Sequence, residues 1–156
     1  MANYITKEGM QFLKKRMQAL IKERPDIIKQ VVEAREMGDL SENAEYHAAR
    51  ERQRNLENEY NSIQKKIENL QVIDIDKIPK DAIRFGAKVI LKNLKTNEIR
   101  KVKLVGADEI FESKDDYERI SILSPIGKAM IGKKIGQHCT VKAPIGNKEF
   151  EVKNIK

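Results

Sequence analysis

Residues 34–50 read Ala34-Arg35-Glu36-Met37-Gly38-Asp39-Leu40-Ser41-Glu42-Asn43-Ala44-Glu45-Tyr46-His47-Ala48-Ala49-Arg50, and the reading of this stretch decides the fold. Upstream, Met10, Leu13, Met17, Leu20, Ile27, Val31 and Ala34 recur at steps of three and four, with Arg24 in the one slot that lacks an apolar residue. Downstream, Tyr46, Ala49, Leu56, Tyr60, Ile63, Ile67 and Leu70 keep the same step, with Gln53 in the polar slot. Each run is the seam of an amphipathic helix. Between them Gly38 can take the left-handed conformation that ends a helix. A break this short makes the two helices antiparallel, and each stripe is narrow enough that it must bury against the other. Thr6 is the expected N-cap of the first helix, and Pro25 predicts a kink near Arg24. From Thr6 to Met37 such a helix would run about 46 Å at ~1.5 Å per residue. Only the base of so long a hairpin can pack on a second domain, and its tip must stand in solvent or inside a partner.

The second half changes period. Ile73 to Arg84 holds Pro79 and alternates Asp with Lys, which reads as a linker. Lys88 to Leu91, Ile99 to Val105 and Arg119 to Leu123 have the composition of strands. Ser124-Pro125 reads as the N-cap and first residue of a short helix that stops at Gly132. His138 to Lys142 and Lys148 to Val152 are two further strands, joined around Gly146-Asn147. The expected class is α+β in two domains: a helical coiled-coil hairpin over 1–75, a linker over 76–82, and a small antiparallel-sheet domain with one helix over 83–156.

Charged residues make up 35% of the chain and apolar ones 40%, a balance that suits long solvated helices. Acidic and basic residues are equally numerous in residues 1–75, so the whole net charge of +7 falls in residues 76–156. That excess favours nucleic acid or an acidic protein surface, or reflects only a lysine-rich composition. The single cysteine, Cys139, excludes an intrachain disulfide and a cysteine metal cluster. No apolar run reaches the length of a signal peptide or a membrane span, so a soluble cytoplasmic protein is expected.

At the tip, Asp39 and Glu42 stand in the Asp-x-x-Glu pattern of a capping box, in which each carboxylate would satisfy a backbone amide at the helix start. The same two carboxylates lie at the exposed apex of a long probe, where function concentrates. Mg²⁺ prefers hard oxygen ligands and keeps several waters, so two carboxylates alone would hold it weakly. The tip is therefore not a complete active site: the sequence positions no third acid, no His pair and no nucleophile there.

The stretch 34–50 strongly resembles the tip of the Gre family, the bacterial transcript-cleavage factors, and specifically the GreA type. The likeness extends to Arg24-Pro25-Asp26-Ile27-Ile28, to Arg84-Phe85-Gly86-Ala87 and to Ser124-Pro125-Ile126-Gly127-Lys128-Ala129-Met130-Ile131-Gly132-Lys133. It thus covers essentially the whole chain and implies an FKBP-like fold for residues 83–156. The resemblance implies a factor that is not an enzyme itself. It would enter the secondary channel of RNA polymerase and stimulate the polymerase's own Mg²⁺-dependent cleavage of backtracked nascent RNA. Asp39 and Glu42 match the family's catalytic acids and would share the second Mg²⁺ with the polymerase. Arg35 and Arg50 would contact phosphates of the extruded RNA 3′ end, or simply form a solvated helix face. Ser41 and Asn43 would orient the metal-bound water or satisfy backbone amides. Ser124 and Pro125 match the segment that docks on the polymerase at the channel rim. A monomer is expected, because each seam is filled by its partner helix.

Three other readings compete. Some relatives enter the same channel and inhibit; here the tip keeps both acids in the family's register. A prolyl isomerase or chaperone would need an apolar pocket lined by aromatic rings, and residues 83–156 offer only Phe85, Phe111, Tyr117 and Phe150. A generic nucleic-acid coiled coil would show a basic stripe, whereas this hairpin is neutral overall.

Overall fold

The computed structural model describes residues 3–38, 43–111 and 115–156. The chain divides into two compact units: Met10–Leu70, and Met1–Gly9 together with Gln71–Lys156.

The first unit is built on α1 (Lys7–Arg35) and α2 (Ala44–Asn69). Cross-helix hydrogen bonds set their direction. Arg16 bonds Glu59, Arg24 bonds Glu57, Arg52 bonds Gln30 and Asn43 bonds Ala34. Each step up α1 meets a step down α2, so the helices are antiparallel. Every seam position expected from the spacing is buried or half-buried, including the two polar slots at Arg24 and Gln53. Arg24 fits because its guanidinium leaves the seam, donating to both Glu57 oxygens at 2.8 and 3.3 Å and lying 4.8 Å from the centre of the Tyr60 ring. Pro25 sits inside the continuous helix α1. It lacks the amide that would bond the Ile21 carbonyl, and the cross-helix fork of Arg24 lies beside that gap.

The second unit starts with a feature too short for any sequence period. Tyr4–Thr6 (β1) and Gln71–Ile73 (β2) pair as parallel strands, in register Ile5 to Val72. Residues 3–9 and 71–75 thus cluster with the sheet-bearing unit. The linker is also partly ordered, with a 3-10 turn at Ile75–Lys77 capped by the Asp74 side chain. Thr6 is the N-cap of α1, accepting from the Gly9 amide at 3.0 Å. Its own amide and hydroxyl both donate to Glu109, a carboxylate only 1% exposed that also accepts from the Gly106 amide at 2.8 Å. A buried carboxylate is tolerated when it is bonded in this way.

The main sheet has five strands in the order β5-β4-β3-β7-β6. They are β3 (Lys88–Asn93), β4 (Ile99–Val105), β5 (Glu118–Ser121), β6 (His138–Val141) and β7 (Lys148–Ile155). Three pairings are antiparallel, but β5 runs parallel to β4, so the antiparallel sheet expected from the sequence carries one parallel edge. Helix α3 (Pro125–Met130) packs against β5 and β6. The core is made by alternate residues: Val89 and Leu91 from β3, Val102 and Leu104 from β4, Phe150 and Val152 from β7, closed by Met130 and Ile83. Cys139 is buried in this core, and burial pushes its thiol pKa up, which suits packing rather than reactivity. Among the described residues no helix is long and apolar enough to cross a membrane.

Candidate functional site

The candidate site is the turn between α1 and α2. Helix α1 ends at Arg35, where the Met37 amide bonds the Ala34 carbonyl at 3.2 Å. Gly38 then takes a φ of 156°, a backbone open to glycine and strained for other residues. Asp39, Ser41 and Glu42, three of the expected site residues, lie outside the described residues. The structure does place what flanks them.

Asn43 is the N-cap of α2. Its Oδ1 accepts from the Tyr46 amide at 3.1 Å, and its Nδ2 donates to the Ala34 carbonyl at 2.5 Å. One side chain thus satisfies an orphan donor at the start of α2 and an orphan acceptor at the end of α1. Of the two roles expected for Asn43, the structure shows the backbone one.

Arg35 is exposed, with its guanidinium carbon 5.8 Å from the centre of the Tyr46 ring on the opposite helix. Tyr46 in turn meets the His47 ring edge-on at 5.7 Å. Arg50 is exposed and donates to Gln53 one turn further along α2 at 2.9 Å. Both arginines stand at the tip ends of their helices. The seam spacing placed Tyr46 but did not show that its ring underlies Arg35. It also did not single out Met37, which is 78% exposed beside the turn; its only signal was an apolar residue past the last seam position.

In the other unit, Ser124 is the N-cap of α3. It accepts from the Gly127 amide at 3.1 Å and donates to the Ser121 carbonyl at 2.7 Å. Pro125 follows as the first helical residue and is exposed. The hydroxyl is therefore engaged inside the fold, while Pro125 and the 46% exposed Leu123 present the surface of this segment.

Comparison with known proteins places both units. Residues 3–72 match the family model described as transcription elongation factor, N-terminal, and residues 78–156 match transcription elongation factor, GreA/GreB, C-term. The chain belongs to the GreA/GreB family of transcription elongation factors. Among GreA/GreB relatives, transcription elongation factor GreA of Thermodesulfovibrio yellowstonii is 47% identical over 152 residues, covering 97% of this chain and 94% of the relative. GreA of Rhodospirillum rubrum is 44% identical over 151 residues, covering 95% and 93%. Among solved structures, GreA factor homolog 1 of Thermus thermophilus aligns over 100% of this chain and 99% of its own, at 22% identity and a TM-score of 0.46. The GreA/GreB assignment rests on the family models and the GreA sequences, and it makes the chain a transcription elongation factor of the GreA type.

Proposed function

We propose that the chain inserts its helical hairpin into the secondary channel of RNA polymerase and stimulates the polymerase's own cleavage of backtracked nascent RNA. The polymerase is the enzyme, and this chain is a monomeric, cytoplasmic stimulator without a full active site of its own. The observation that carries this reading is the tip. A pair of long antiparallel helices ends in a turn held by Asn43, and the sequence at that turn sets Asp39 and Glu42 between Gly38 and the α2 cap.

The donor set suits Mg²⁺, since carboxylate oxygens are hard ligands. In this reading the remaining ligands would come from the polymerase. Asp39 and Glu42 would hold the ion jointly with it. When bound, Mg²⁺ activates a water and stabilises the oxygens of an in-line phosphodiester displacement.

The remaining steps belong to this chain's residues. Asn43, next to Glu42 in the sequence, ties the start of α2 to the end of α1. Arg35, steadied on the Tyr46 ring, and Arg50 would pair with phosphates of the extruded RNA, fixing its register without reading its sequence. Ser41 would orient the attacking water. Pro125, positioned by the Ser124 cap, would rest on the channel rim.

A photo-crosslinker in place of Met37 tests the insertion. In a backtracked complex it should react inside the polymerase, beside the RNA 3′ end. Crosslinks confined to the outer surface of the polymerase would contradict the reading.

A further inference from the structure

A cavity of about 310 Å³ opens in the sheet-bearing unit, away from every residue assigned a role above. Among the described residues, Lys80, Arg84, Lys88, Lys103 and Lys156 line it, with Asp76 as the acidic side chain. Its wall is well fixed. Arg84 donates to the Pro79 carbonyl at 3.0 Å and pairs with Asp81. Opposite, the linker residue Ile75 presses on Gly86, where a Cβ would lie 2.2 Å from the isoleucine.

The charge balance behind this wall is uneven. Lys88 lies 3.5 Å from Asp115, and Asp115 lies 2.7 Å from Arg119. Arg119 donates to both oxygens of Glu8 at 3.2 and 3.3 Å, and Glu8 lies 3.5 Å from Lys103. Among the described residues this alternating chain runs from lysine to lysine, with three cations on two carboxylates. Both end lysines line the cavity. The side chains of Lys103 and Arg119 are only 6% and 4% exposed, which leaves water little room to screen the surplus. A buried cation is costly unless its charge is matched. Lys80 adds positive charge at the same wall, with no ion pair among the described residues.

We infer that this cavity binds a small polyphosphate anion of nucleotide size. The lysines recognise phosphate as point charges. The volume exceeds what one phosphate fills and lies at the lower end of ordinary ligand pockets. Half-buried Phe85, set edge-on to Tyr4 at 5.9 Å, offers the apolar surface on which an attached base would lie.

The test is titration of the full-length chain with inorganic pyrophosphate and, separately, with ADP, followed by calorimetry and amide chemical shifts. Binding should perturb residues 84–88, 103 and 156, leave the hairpin tip unchanged, and weaken as salt rises. Tighter binding of ADP than of pyrophosphate identifies a nucleotide with its base on Phe85. Equal binding identifies the polyphosphate alone, and either result supports the site. The Lys80→Ala/Lys156→Ala variant, which breaks no described ion pair, should weaken binding by about tenfold. Lys88→Gln should do the same while unfolding cooperatively like the wild type. Absence of binding by both probes, shifts mapping elsewhere, or unchanged affinity in both variants would overturn the inference.

Discussion

Asn43 and Ala34 are joined across the hairpin turn, the Asn43 amide nitrogen donating to the Ala34 carbonyl while its oxygen caps α2. Replacing Asn43 with Ala removes both bonds. The expected loss is ~1 kcal/mol of stability, the usual cost of an N-cap, read by urea unfolding. Asn43→Ser restores a cap acceptor but lacks the donor to Ala34. It should recover stability yet still show faster amide exchange at Met37, whose amide shares the Ala34 carbonyl.

The seam can be tested by contrast. Leu20 is 1% exposed and Phe12 is 45% exposed, though both are large apolar residues of α1. Leu20→Ala should cost roughly 2–5 kcal/mol through the cavity it leaves. Phe12→Ala should cost less than about half of that. Equal losses in thermal unfolding would mean that the stripe facing α2 has been misassigned.

Glu109 anchors the start of α1 to the sheet domain by accepting from Thr6 and Gly106. Glu109→Gln keeps the shape but turns an amide NH2 group towards donors. It should destabilise the protein by ~1–3 kcal/mol, the cost of an unmet buried polar group. Thr6→Val, which removes one donor, should soften the effect of Glu109→Gln when the two are combined.

Glu59 predicts a pH dependence. Its hydrogen bond from Arg16 holds its carboxyl below the ordinary glutamate value. A lowered folded-state pKa stabilises the protein above the unfolded value, and that contribution is lost as the pH falls through the folded one. Wild type should therefore exceed Glu59→Gln in stability at pH 7, and the gap should close on acidification from the usual glutamate range downward. Both side chains are about 40% exposed, at 41% for Arg16 and 42% for Glu59, so the gap should stay within about 1 kcal/mol. Urea unfolding at several pH values would show it.

The hairpin was largely legible in the sequence because a long helix repeats its signal. Even the two polar seam slots, Arg24 and Gln53, fell where the period put them. Thr6 and Ser124 were legible as caps because capping depends on a few neighbouring residues. Features that depend on distant partners were not. β1 and β2 are three residues each and owe their pairing to one another across 64 intervening residues, from Lys7 to Leu70. The parallel run of β5 beside β4 and the burial of Glu109 likewise depend on contacts that no local period encodes. At the tip, the sequence named the acids through their resemblance to a family, and the structure supplied the bracing by Asn43 and Tyr46.

The central claim is that Asp39 and Glu42 carry the stimulation of cleavage, and one assay tests it most directly. RNA release would be followed in a stalled, backtracked polymerase complex with Mg²⁺, comparing wild type with Asp39→Ala/Glu42→Ala at concentrations where both bind. The account predicts 3′ fragments with the wild type and only the polymerase's intrinsic rate with the double variant. Wild type that binds without raising cleavage, or a double variant that cleaves as well as wild type, would contradict it.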